Sequence, residues 1–286
     1  MIQPAVNPSA TTGAVHRFRI LLEVPQPYID QGRPADLYEA EYRQSSQPEL
    51  DSVCSLRALV DSSSDERHPV VLSDGSVGYC TEREQAGIYR LRDGLAKPVL
   101  LRRGIESFAA APDGKQWAFV AEDSLYLLAP GSSPRRQELG DRIPHQVAYT
   151  QEGKLLVTDR QGLHELQLDG SLTELFQGHV EQFSLSRDSS QLVYLRPDAD
   201  GCQLRVLEPG TGSDRLVRHS AHEERVYDYP NYLSPAFTPD GSRILYAVTS
   251  LDGGWGAPLH CDLRAVATQG GESVVLCDNV LGAVCA

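Results

Sequence analysis

Two short stretches of the sequence combine side chains that can ligate a cation. His219-Ser-Ala-His222-Glu223-Glu224 sets two imidazoles three residues apart beside carboxylates, a donor set suited to Zn²⁺ or Mn²⁺ if the loop folds around the ion. Asp198-Ala-Asp200-Gly201 superficially matches the start of a Ca²⁺ loop, but it lacks the downstream Glu that such a loop requires. The plainer readings are a solvated polar loop for the first and an Asx-capped turn for the second. These are the ones adopted, so neither a metal nor a cofactor is expected. The histidines His68, His145, His164 and His179 are scattered along the chain. A GxSxG elbow, a Walker A loop, a Rossmann glycine fingerprint and an HExxH pair are all missing. The expectation is a protein that is not an enzyme.

A third group of residues suits binding instead. The stretches HSAHEERVYDYPNY (219–232) and LDGGWGAP (251–258) bring Tyr227, Tyr229, Tyr232 and Trp255 among Glu223, Glu224, Asp228 and Asp252. Tyr and Trp bury much area at little rotamer cost, and surrounding carboxylates select a cationic partner. The bland alternative is that the rings pack their own loops and the acids solvate them. Over the whole chain, 26 Lys and Arg stand against 39 Asp and Glu, a net charge of −13. That balance disfavours nucleic acid and anionic lipid surfaces and favours a basic protein partner.

What must position these residues is a repeat. PVVLSDGSVGYC, FAAAPDGKQWAFV, VAYTQEGKLLVT, FSLSRDSSQLVYL and PAFTPDGSRILYAV each carry an apolar strand, an acidic turn and a second apolar strand. The acids are Asp74, Asp113, Glu152, Asp188 and Asp240, at spacings of 39, 39, 36 and 52. Trp117, Leu156, Leu192 and Ile244 fall four residues after the acid, with Phe119, Tyr194 and Tyr246 two further on. A period of two places them on one face of a half-buried strand. Asp-Gly suits a tight hairpin because Gly takes positive φ without a Cβ clash. A third and a fourth strand follow in every unit.

Four short antiparallel strands per unit of roughly 40 residues predict a β-propeller blade. The units resemble the WD40-like PD40 repeats of TolB-type propellers, whose signature is a Ser-Pro-Asp-Gly turn. APDGK and TPDGS match it closely, LSDGS fairly well, TQEGK and SRDSS loosely. The fold class predicted is all-β, a single six-bladed propeller of four-stranded antiparallel blades, with seven blades as the alternative. Regular blades are placed at 68–102, 105–140, 143–178, 180–218 and 233–277. Strands within 14–62 and a closing strand at 279–286 complete the last blade.

In such a meander the connections after the second and fourth strands emerge on the same face. The two long excursions should therefore lie beside Asp198 and Asp200, and these two acids with Glu223, Glu224, Tyr227, Asp228, Tyr229, Tyr232, Asp252 and Trp255 form the expected partner-binding patch. The N-terminus shows no charged region ahead of an uninterrupted apolar stretch, no segment is long enough to span a bilayer, and the six cysteines form no CxxC pair. A cytoplasmic location follows as the expectation. The family of TolB itself is periplasmic and carries a further α/β domain, so the resemblance is taken to stop at the repeats. Only 3 of the 26 basic residues are Lys, a bias in keeping with GC-rich bacterial coding. The function expected is a cytosolic inhibitor or immunity-type protein that blocks a basic protein such as a nuclease toxin. The alternatives are a metal-dependent propeller lyase or hydrolase using His219 and His222, and a TolB-like scaffold component.

Overall fold

Five acidic turns organise the architecture seen in the computed structural model, which describes residues 15–25, 35–60, 66–82, 85–220, 231–251, 259–278 and 282–285. In every repeat the turn closes with one backbone bond. Gly75, Gly114, Gly153, Ser189 and Gly241 donate to Leu72, Ala111, Thr150, Ser186 and Thr238 at 2.8–2.9 Å. The donor has positive φ in all five, and in the fourth it is Ser189 at +58°. The loosely matching TQEGK and SRDSS therefore build the same turn as the Pro-Asp-Gly ones. In four of them the acid fixes the loop: Oδ1 of Asp74, Asp113, Asp188 and Asp240 accepts from the N–H two residues on, at 2.9–3.1 Å.

These five hairpins are the first halves of five of the six four-stranded antiparallel sheets among the described residues. The closing blade contains β1 (His16–Pro25), β2 (Ala35–Gln44) and β3 (Ser52–Val60). Blade one is β4 (Glu66–Val71), β5 (Val77–Thr81), β6 (Gly87–Arg92) and β7 (Leu95–Leu101). Blade two is β8 (Ile105–Ala110), β9 (Trp117–Ala121), β10 (Ser124–Leu128) and β11 (Arg135–Gln137). Blade three is β12 (Gln146–Tyr149), β13 (Leu155–Thr158), β14 (Gly162–Leu166) and β15 (Leu172–Gln177). Blade four is β16 (Phe183–Leu185), β17 (Leu192–Asp198), β18 (Gly201–Glu208) and β19 (Ser213–His219). Blade five is β20 (Asn231–Phe237), β21 (Arg243–Leu251), β22 (Leu259–Ala267) and β23 (Ser273–Asp278). The last strand, β24 (Gly282–Cys285), returns to the closing blade and pairs with β1, Ile20 opposite Cys285. Its position is innermost, between β20 and β4.

The core consists of layers between neighbouring blades. Among the described residues, six apolar clusters each join two adjacent blades and together complete the circuit. The alternating residues of the repeat supply them: Trp117, Phe119, Leu192, Tyr194, Ile244 and Tyr246 are all buried. Second strands are the most buried elements, β9 and β13 throughout, whereas the outer strand β7 is largely exposed. Side chains also tie blades near the centre. Ser107 Oγ accepts from Val147 N (3.2 Å), and Gln182 Oε1 accepts from Ser234 N (2.7 Å). Gln146 clamps both backbone groups of Phe183, donating to its carbonyl (2.9 Å) and accepting from its N–H (2.8 Å).

Candidate functional site: an acidic loop face

Strand register decides which connections share a face. Asp198 pairs with Gly201 across the hairpin between β17 and β18, and Gln203 pairs with His219 at the end of β19. In blade five, Asn231 lies opposite Thr249 and Leu251 opposite Leu259. The hairpin at 198–201, the exit at His219, the entry at Asn231 and the strand ends at Leu251 and Leu259 thus occupy one face. Of the expected patch, Glu223, Glu224, Tyr227, Asp228, Tyr229, Asp252 and Trp255 lie outside the described residues, as does His222. Asp198 and Asp200 are described and exposed.

Tyr232 requires a correction. It belongs to β20 rather than to a surface loop, is 1% exposed, and meets Tyr246 edge-on at 5.0 Å within the layer between blades four and five. A bulge at Ser234-Pro235 shifts the register between Leu233 and Ala236 and so resets which side chains face inward. As a fully buried core ring it is no surface anchor.

Asp198 is the centre of the described part of this face. His219 Nε2 lies 3.0 Å from its Oδ2, Gln203 donates to the same oxygen, and Asp200 N donates to Oδ1 at 3.1 Å. The Gln203 amide first, and His219 second, hold the Asp198 carboxyl below the usual carboxylate range. Asp198-Ala-Asp200-Gly201 is therefore an Asx-stabilised two-residue hairpin, and His219 faces Asp198. No group of three metal-capable side chains forms among the described residues.

Behind Asp198 runs a relay that the sequence alone did not reveal. Gln203 Oε1 accepts from Arg205 Nη1 (2.8 Å) and Arg196 Nη2 (3.0 Å) while its amide nitrogen holds Asp198. Arg205 Nε donates to Asp214 Oδ1 at 2.9 Å, and the Tyr194 hydroxyl donates to the same oxygen at 3.0 Å. Burial works against the Arg205 charge, but Asp214 more than offsets it and its pKa rises. Burial, then Asp214, also pushes the Tyr194 hydroxyl up. The chain of bonds from Tyr194 to His219 fixes the Asp198 carboxylate from the core outward.

A second polar cluster occupies the equivalent turn of blade three. Asp159 accepts from Gln161 N (2.7 Å), Gly162 N (2.9 Å) and Arg142 Nη1 (2.6 Å), with His164 Nε2 at 3.1 Å. Burial raises the Asp159 pKa, yet the donors, Arg142 first, leave it lowered overall. His164 is 1% exposed, and the cluster ties the turn after β13 to the connection entering the blade. Its role is structural. Burial lowers the pKa of His68, which lies on the innermost strand of another blade.

No protein-family model matches the chain, and no curated protein matches it. Solved structures do. TolB from Acinetobacter baumannii aligns with a TM-score of 0.70 at 17% identity, over 94% of this chain and 66% of that one. The putative TolB from Agrobacterium tumefaciens aligns with a TM-score of 0.62 at 15% identity, over 93% of this chain and 90% of that one. The fold is a TolB-like propeller. A chain of the nidogen/laminin complex has the same shape, with a TM-score of 0.64 at 13% identity, over 95% of this chain and 98% of that one. The TolB-like likeness is one of architecture, and the chain spans less than two thirds of the length of the A. baumannii protein.

Proposed function

We propose that this chain is a non-enzymatic protein-binding propeller whose acidic loop face captures a basic protein. The observation that carries the reading is the shared face of the 198–201 hairpin and the strand ends at His219, Asn231, Leu251 and Leu259. Long connections on a rigid scaffold are where such folds carry function. Asp198 is held ionised there, Asp200 is exposed beside it, and the chain as a whole is charged −13. In its most concrete form the protein is a cytosolic inhibitor or immunity-type protein that blocks a nuclease toxin, its carboxylates occupying a groove built for phosphate. The nidogen/laminin propeller supports a binding role for the shape.

The test has two stages. Capture from host lysate at low and moderate salt identifies the partner, and calorimetry with the purified partner then compares Asp198→Ala/Asp200→Ala with Asp169→Asn on the opposite face. The reading predicts a basic partner, affinity that falls with salt, and loss in the first variant alone. A neutral or acidic partner, or equal affinity in both variants, overturns it.

A further inference from the structure

The closing blade is built differently from the others at the face opposite the loops. β1 runs beside β2 from His16 opposite Gln44 to Pro25 opposite Ala35, but the innermost strand β24 pairs only with residues 20–23 of it. In the other five blades the innermost strand reaches to within one residue of the start of its neighbour, as Ala110 opposite Trp117 and Phe237 opposite Ile244 do. Residues 16–19 therefore extend past the inner strand, with β2 on one side and, among the described residues, no strand on the other. His16 and Arg17 are exposed, and Phe18 and Arg19 are half-buried. A backbone edge of this kind is a template for one more strand.

The side chains of this edge specify what such a strand would carry. On one face of the β1–β2 ladder Arg17 stands directly opposite Arg43, and Arg19 opposite Glu41. Glu41 is shared between Arg43 Nε (2.7 Å) and Arg17 Nη1 (3.9 Å), and Glu39 between Arg19 and Arg57. Four guanidiniums thus share two carboxylates, a local positive excess in a chain of net charge −13. Like charges directly opposite in a sheet are unfavourable, and Arg17 is 64% exposed. On the other face Phe18 stacks with His16 and Tyr42, at centroid distances of 6.3 and 6.2 Å. We propose that this edge accepts an acidic, extended peptide segment of a partner protein. Two of its carboxylates, two residues apart, lie beside Arg17 and Arg19, and an apolar residue between them lies beside Phe18. Charged edges deter indiscriminate pairing, and a segment of opposite charge is the one they admit. Residues 1–14 contain neither Asp nor Glu, so the N-terminal segment of the chain does not supply these groups.

NMR titration of the full chain with the capped peptide Thr-Glu-Val-Glu-Thr tests the assignment. Its controls are Thr-Lys-Val-Lys-Thr and the re-spaced Thr-Glu-Glu-Val-Thr, which has the same composition. The first peptide should shift the amide signals of residues 16–19 and slow their exchange, with binding that weakens as salt rises. The lysine peptide should bind at least about tenfold more weakly, and the re-spaced one at least about threefold. Arg17→Glu alters an exposed side chain and should weaken the first peptide by about tenfold. Absence of binding, equal affinity for either control, unchanged affinity in folded Arg17→Glu, or shifts confined to other strands overturns the proposal. Slowed exchange at residues 16–19 that grows with protein concentration in the absence of peptide would give the edge to a second copy of the chain, and would overturn it too.

Discussion

Asp198, at the hairpin of blade four, and His219, where the outer strand of the same blade ends, face each other at 3.0 Å across the loop face. The pair joins the carboxylate to the exit of the longest excursion between blades. Because Gln203 and then His219 favour the ionised form, the folded pKa of Asp198 lies below its unfolded value. The stabilisation is therefore complete above roughly pH 3.9 and is lost as the pH falls through the lower folded value. Urea midpoints of the native chain and Asp198→Asn should converge in acid and separate to a constant gap at higher pH. A gap that widens toward acid would contradict the assignment.

Replacing both Tyr229 and Trp255 with Ala should weaken the basic partner by more than about 2 kcal/mol, the loss expected when aromatic anchors are removed. Calorimetry on the folded double variant is the check, and unchanged affinity would eliminate the proposed face.

Gln146→Ala removes both hydrogen bonds to the Phe183 backbone and opens the junction between blades three and four. With a peptide N–H and carbonyl left unmet, the cost should be about 2 kcal/mol in urea denaturation. Gln146→Glu, which keeps an acceptor for the Phe183 N–H but sets a carboxylate oxygen against the Phe183 carbonyl, should cost at least as much as Ala.

Deleting residues 279–286 removes β24 from its place against β1 and bares the inner edge of the closing blade. Calorimetry should show melting lowered by at least about 5 °C, equivalent to a loss of one to two kcal/mol or more in a chain of this size. A truncated chain that melts with the parent would place the closure elsewhere.

The repeating turn was legible because its chemistry is local: an acid, a residue that accepts positive φ, and apolar positions two apart. Even Ser189, which lacks glycine's freedom, adopts the turn because Asp188 and Ser186 hold the loop around it. The Arg142–Asp159–His164 cluster and the Gln203 relay were not legible, since their partners meet only once strands pair. Tyr232 was misread for a related reason. Which way its ring faces depends on a bulge at Ser234-Pro235, and nothing in the run of residues before it marks where strand begins and excursion ends.

The closing blade also sets the order of assembly. Within the described chain β1 to β3 precede every other strand and β24 follows them all, so the blade begun earliest is the one that the last described strand completes. An arc of five blades without the closing blade would leave open to solvent the apolar layers that this blade shares with blades five and one. The pairing of β1 with β24, Ile20 opposite Cys285, joins residues far apart in sequence, the kind of contact whose closure costs the most loop entropy. A chaperone that shields the β1 edge during translation would raise the yield of native rings without altering their final stability.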